Sequence, residues 1–204
     1  VAYDTVNVTG GSIQGSYNYG SYNSTGILAG ESAIVTVSGT SIYDHASNGA
    51  PKDSEPEFTD TTGPEGVGIY AGHGSSVEVL GCCSIYGNDI GIWLYESPND
   101  VGDPAQGFSQ VVANGNNIYD NRYYGAYNAY FRSPVAPEDP IVVIIVMDGA
   151  DFENNWWGDE EGPTAPLAFS EDGEASESPT PVTVKGDWVT LGIDYTPWLD
   201  GPCP

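Results

Sequence analysis

The chain copies itself. The segments "VNVTGGSIQG" (6–15), "VTVSGTSIYD" (35–44), "VEVLGCCSIYGN" (77–88) and "VVANGNNIYDN" (111–121) share one pattern, and "VMDGADFENN" (146–155) is a degenerate fifth copy. Each has a short β-branched strand, a glycine, two or three small residues and then Ile-Tyr, replaced by Phe152-Glu153 in the last copy. The anchors Ile13, Ile42, Ile85, Ile118 and Phe152 follow one another at intervals of 29, 43, 33 and 34 residues. A second strand signal follows in "GIY" (68–70), "GIWLY" (91–95) and "GAYNAYF" (125–131). Repeats of this size describe units that cannot bury an apolar face alone and do so by stacking. No copy holds a helical segment for a βαβ unit, so the expected architecture is all-β, a parallel β-solenoid.

Stacking turns equivalent positions into columns. Ile42, Ile85, Ile118 and Phe152 are expected to form one inward column, each contributing about 1.5–3 kcal/mol if fully buried. Asn88, Asn121 and Asn155 are expected at one corner, where asparagine tolerates left-handed backbone and its amide bonds along the stack. Tyr43, Tyr86 and Tyr119 face away from the isoleucines, and Tyr70, Trp93 and Tyr127 do the same in the other sheet, giving two outward aromatic ladders. Three acidic, Pro- and Gly-rich segments interrupt the copies: 46–66, 97–107 and 133–140. Such insertions read either as a binding side or as tolerated surface loops.

The composition agrees with a turn-rich, helix-poor chain: Gly 27, Pro 15 and Tyr 14 against Met 1, with no sustained 3.6-residue apolar period. Lys+Arg 4 against Asp+Glu 29 gives a formal charge of -25. That balance excludes nucleic acid and anionic membrane surfaces as partners. It repels polyanionic glycans unless cations intervene. Carboxylates in this number suit either a solvated, cation-screened surface or specific Ca²⁺ sites. No EF-hand loop or glycine-aspartate nonapeptide is present, so no metal ligand is named. The longest apolar run, "IVVIIVM" (141–147), has seven residues and is too short to span a bilayer. A chain that starts at Val1 without a basic or apolar leader reads as a mature exported product. Sequons at Asn7 ("NVT") and Asn23 ("NST") fit an exported surface as glycosylation candidates.

Near the end stands "NNWWGDEEGP" (154–163), and later "VTLGIDYTPWL" (189–199). Together with the repeat, these resemble the right-handed parallel β-helix repeat proteins of archaeal and bacterial cell surfaces. The matching positions are Asn155, Trp157, Gly158, Gly162 and Pro163, then Ile193, Asp194, Tyr195, Pro197, Trp198 and Leu199. The resemblance implies a right-handed coil over residues 1–158, an acidic loop and C-terminal capping segment over 159–204, and a cell-envelope location. It implies no single activity, because one fold hosts many. A solenoid's last turn exposes its core and needs a cap. Trp156, Trp157 and Trp198 are large enough to serve, although adjacent strand residues point to opposite faces.

Many β-helices act on polysaccharides, so a hydrolase, lyase or epimerase is the rival reading. "AGHGSS" places His73 in a Gly-His-Gly resembling one polygalacturonase motif, without that family's companion motifs. The cations Lys52, Arg122, Arg132 and Lys185 are scattered, and Arg122 reads as a salt-bridge partner. Asp44 and Asp120 share a column as a repeat feature before they read as a dyad, and His45 reads as a variant of the asparagine corner. No catalytic residue is assigned.

Four features favour assembly, the first being the outward ladder of Tyr70, Trp93 and Tyr127, aromatic surface of the kind enriched at interfaces. An odd count of cysteines lets Cys82 or Cys83 pair with Cys203 and leaves one thiol, either for an interchain bond or buried as a free cysteine. Ile141, Val143 and Ile145 lie in a strand apolar on both faces, whose outer side needs the C-terminal segment or another subunit. Val6 to Val8 lie near an open end suited to strand stacking. The expectation is a non-enzymatic subunit of a sheath, surface layer or filament, archaeal in character, self-associating without a required cofactor, with Ca²⁺ or a glycan as optional partners. A glycan-binding adhesin is the third reading.

Overall fold

Val35-Thr36-Val37 and Val77-Glu78-Val79 alternate apolar and polar, the period of a strand with one buried face. In the computed structural model they lie side by side in parallel register. The described residues are 4–15, 24–30, 32–46, 66–72, 74–96, 109–130, 150–164, 186–187, 189 and 193–204. They contain thirteen strands and no helix. In chain order these are β1 (Thr5–Thr9), β2 (Ser12–Gln14), β3 (Ser24–Ala29), β4 (Ile34–Ser38), β5 (Ser41–Tyr43), β6 (Gly66–Gly72) and β7 (Ser76–Leu80). There follow β8 (Ser84–Tyr86), β9 (Ile90–Glu96), β10 (Gln110–Ala113), β11 (Asn117–Tyr119), β12 (Tyr124–Tyr130) and β13 (Ala150–Asp151).

The chain visits three sheets in rotation. The first holds β1-β4-β7-β10-β13, the second β2-β5-β8-β11 and the third β3-β6-β9-β12, all paired in parallel. One pass through the three sheets is a rung, and each rung adds one strand to each sheet. Register is kept: Ile13, Ile42, Ile85 and Ile118 are successive partners, as are Val6, Val35, Val77 and Val111. Ile42, Ile85 and Ile118 are fully buried, within one apolar cluster that draws on all three sheets.

The fifth copy sits elsewhere than its sequence suggests. Ala150 pairs with Val111 and Asp151 with Val112, so Phe152 falls beside Ala113 in the column of Val37 and Val79. It does not extend the isoleucine column. Trp156 bridges Asn117, which places Trp157 next to Ile118 as the last member of that column. The landmark glycine of earlier copies, Gly39 or Gly115 at φ 54° and 71°, is replaced by Asn154 at φ 56°. Asparagine also tolerates that conformation, so Gly149 misled the alignment.

Asn155 moves with this correction. At the corner between the first and second sheets, Thr40 N–H donates to Cys83 Sγ (3.5 Å), Cys83 N–H to Asn116 Oδ1 (3.1 Å) and Asn116 N–H to Asn155 Oδ1 (2.9 Å). At the corner between the second and third sheets, His45 N–H donates to Asn88 Oδ1 (3.1 Å), Asn88 N–H to Asn121 Oδ1 (3.2 Å) and Asn121 N–H to Asp187 Oδ2 (3.1 Å). Asp187, not Asn155, therefore completes the Asn88–Asn121 series. The side chains of Cys83, Asn116 and Asn155 at one corner, and of Asn88, Asn121 and Asp187 at the other, supply the acceptor that the rung beneath lacks where the backbone turns between sheets. Gly68 and Gly91 make room: a Cβ there would lie 3.1 Å and 3.0 Å from the amide nitrogens of Asn88 and Asn121.

Asn121 also donates to Ile85 C=O (3.1 Å) and to Asp187 Oδ2 (2.7 Å). Asn121→Ala takes the acceptor from the buried Asn88 N–H and the donor from Ile85 C=O, each worth about 1–3 kcal/mol, and removes one of the two bonds from residue 121 to Asp187. Its urea midpoint is expected to fall by the equivalent of about 3 kcal/mol or more. Gln110→Ala, at an exposed position of β10, is expected to stay within about 0.5 kcal/mol of the parent.

Candidate functional site

The C-terminal end is closed. After β13 the chain passes the three sheets once more through bridges from Trp156 to Asn117, Val189 to Ala126 and Asp194 to Asp151. Trp157 is fully buried, with its ring 6.3 Å from Phe152 at 29°. Of the three expected cap residues it alone plugs the core. Trp156 turns outward and lies 5.2 Å from Tyr119, lengthening the tyrosine ladder. Trp198 is exposed, covers Gly162, and donates from Nε1 to Glu160 C=O (3.3 Å).

Beyond Asp194 the tail returns along the first corner as a strap. Asn154 N–H donates to Pro197 C=O (2.5 Å), Leu199 N–H to Asn155 C=O (3.0 Å), and Cys203 N–H to Asn117 Oδ1 (2.8 Å). A Cys82–Cys203 disulfide then ties the tail to the third rung across 121 residues. Cys83 is the remaining thiol, fully buried, donating to Leu80 C=O (3.3 Å). Burial pushes its pKa up, with bonding to the backbone of Thr40 acting against it. The interchain disulfide expected as one alternative is therefore corrected: Cys83 is inside, and its neighbours are engaged with each other. In non-reducing buffer, alkylation is expected to find no reactive thiol in the native protein and one per chain after denaturation. Cys203→Ser is expected to lose about 2–4 kcal/mol of stability in a denaturant titration, because the disulfide closes a long loop.

Both aromatic ladders lie where the repeat places them. On the second sheet Tyr43 and Tyr86 stack at 4.9 Å and 1°, and Tyr86 and Tyr119 at 5.0 Å and 10°. Their faces meet each other, so ring edges point to solvent. Burial raises the pKa of Tyr86 and Tyr119, helped by the neighbouring tyrosine and then by Asp44 and Asp120 respectively. On the third sheet the rings cross: Tyr70 to Trp93 at 5.3 Å and 87°, Trp93 to Tyr127 at 6.2 Å and 68°, with Tyr95 5.6 Å from Trp93. Burial pushes Tyr127 up as well. The long variable segments all connect to strands of this third sheet, between β5 and β6, β9 and β10, and β12 and β13. The first-to-second-sheet corners are short turns.

The polar candidates resolve into structural partners. Asp89, fully buried, faces Arg122 with Nη1 to Oδ1 3.1 Å, the salt-bridge role expected of that arginine. Asp44 and Asp120 share a column with Gly87, at φ 62°, 55° and 67°, and Asp44 accepts from Gln14 Nε2 (3.2 Å). That is a recurring left-handed turn position, with a glycine between the two carboxylates. Among the described residues no three His, Cys, Asp or Glu side chains converge as a metal group. Asn7 is exposed on β1. His73, Asn23, Lys52, Arg132, Lys185, Ile141, Val143 and Ile145 lie outside the described residues. Sequence reasoning missed the Thr40–Cys83–Asn116–Asn155 ladder and Asp187. The signal for the former was the residue two places before each column member.

His45 occupies the asparagine corner as expected. It is buried, with Nδ1 2.9 Å from Ser24 Oγ. Burial lowers its pKa from 6.5, while the Ile13 carbonyl and then Asp44 act against the shift. The native state thus takes up this proton at lower pH than the unfolded chain. Its contribution is complete above about pH 6.5 and is lost as pH falls from there toward the folded pKa. His45→Asn, which restores the amide used in the next two rungs, is expected to flatten the loss of urea midpoint below pH 6.5.

No protein-family model, curated protein or solved structure matches the chain.

Proposed function

We propose that the chain coils as a right-handed parallel β-helix and serves as a non-enzymatic structural subunit of an extracellular surface assembly such as a sheath or surface layer. The observation that carries this reading is the pair of continuous, part-exposed aromatic columns on a rigid, disulfide-tied stack. Aromatic side chains of this kind are enriched at protein interfaces. A disulfide also suits an oxidising compartment outside the cytosol. The buried polar side chains support the same reading, since His45, Asn88, Asn121, Asp187 and Asp89 are engaged in holding rungs together. Growth runs sideways, through the aromatic columns, because each sheet is met by a bridge at the C-terminal end. Divalent cations bridge the carboxylate-rich surface and relieve the repulsion of a net charge of -25.

Electron microscopy and sedimentation of the native protein with and without Ca²⁺ test the proposal, with ordered polymer or sheet expected. Trp93→Ser combined with Tyr70→Ser is expected to abolish the larger species while the melting transition persists. Dispersed monomer under every condition would count against the function. A second reading, binding of a neutral glycan, draws on the third sheet alone, where the rings cross and do not consume one another's faces. Retention on a neutral glycan array, lost in Trp93→Ala, separates it from the first.

A further inference from the structure

The two ends of the stack differ in what they leave unpaired. At the C-terminal end each sheet is met by a bridge, from Trp156, Val189 or Asp194. At the other end β1, β2 and β3 are, among the described residues, the edge strands of their three sheets. Ile34 N–H bonds to Asp4 C=O (3.0 Å) and Gly10 N–H to Ser38 C=O (2.9 Å). The alternation of a parallel ladder then turns the backbone groups of Thr5, Asn7 and Thr9 to the free side. Edge strands are ordinarily blunted by charge or proline. From Thr5 to Gly30 there is no Asp, Glu, Lys, Arg, His or Pro, a 26-residue run in a chain that is 16% charged and has 15 prolines. Apolar side chains are open here as well: Val6 is 48% exposed and Leu28 72%, and Val8, Ile13 and Ile27 are only partly buried.

We propose that this first rung pairs with the first rung of a second copy, edge to edge and with strands antiparallel. The inference rests on the self-association reading above and names its end-on surface and its partner. A surface matched to itself by a two-fold axis closes at two molecules. The uncharged rung is also where two bodies of net charge -25 approach with least repulsion. End-on contact therefore gives a dimer with continuous sheets, and no filament.

The test is sedimentation of the full chain with three variants. The parent is expected as a dimer at about 1 M NaCl, where charges are screened within roughly 3 Å, and to dissociate toward monomer near 0.01 M. Asn7→Pro removes a free-side N–H and no ladder bond, and Leu28→Glu places charge on the open rung. Each is expected to weaken the dimer about tenfold or more, with unchanged near-UV circular dichroism. Hydrogen exchange at Thr5, Asn7 and Thr9 is expected to slow in the dimer relative to the monomer. A dimer of undiminished affinity in both variants, or without protection at those amides, overturns the inference while leaving the assembly function standing. Loss of larger species in Trp93→Ser with the dimer retained supports both. A parent monomeric at every ionic strength overturns the inference, and a parent without larger species as well overturns the function too.

Discussion

A backbone that turns from one parallel sheet into the next leaves N–H groups at the corner with no strand to receive them, and a buried unpaired amide costs about 1–3 kcal/mol. Two side-chain ladders meet that constraint here. Thr40, Cys83, Asn116 and Asn155 serve one corner, and His45, Asn88, Asn121 and Asp187 the other. In each, the next rung supplies the acceptor, so no rung is complete without its successor. The apolar columns add most of the burial, yet they are tolerant of exchange: isoleucine, phenylalanine and tryptophan all end up inside. The ladders are what hold those columns in register.

That dependence explains why the last rung is built differently from the others. Trp157 fills the core position that no following isoleucine will cover, Asp187 receives the final asparagine, and the strap from Pro197 to Cys203 binds the open corner. The first rung has nothing comparable among the described residues. It is uncharged in a chain that is otherwise densely acidic. Among the described residues the two ends of the stack therefore differ, one met by bridges and a disulfide-held strap and the other by none.

Much of this was legible in the repeats. The inward isoleucines, both outward aromatic ladders, the parallel all-β arrangement and the structural role of His45 follow from aligning the copies, and the odd cysteine count offered a bond from Cys82 or Cys83 to Cys203. The fifth copy was misread because Asn154 took the turn that glycine takes elsewhere, and this displaced Phe152 and Asn155 by one column each. Asp187 was invisible because it lies 66 residues from the asparagine that it serves. Asp89 and Arg122 are adjacent only through the register of neighbouring rungs.

The sequence by itself determined the periodicity, and with it which residues alternate between core and solvent, because a strand has only two faces and the copies repeat their pattern on them. Only the tertiary structure decided which cysteine joins the tail, which tryptophan enters the core and which polar residues form each ladder. Those choices depend on contacts between rungs, and distances across a corner are set by how the strands pair, which no local spacing encodes.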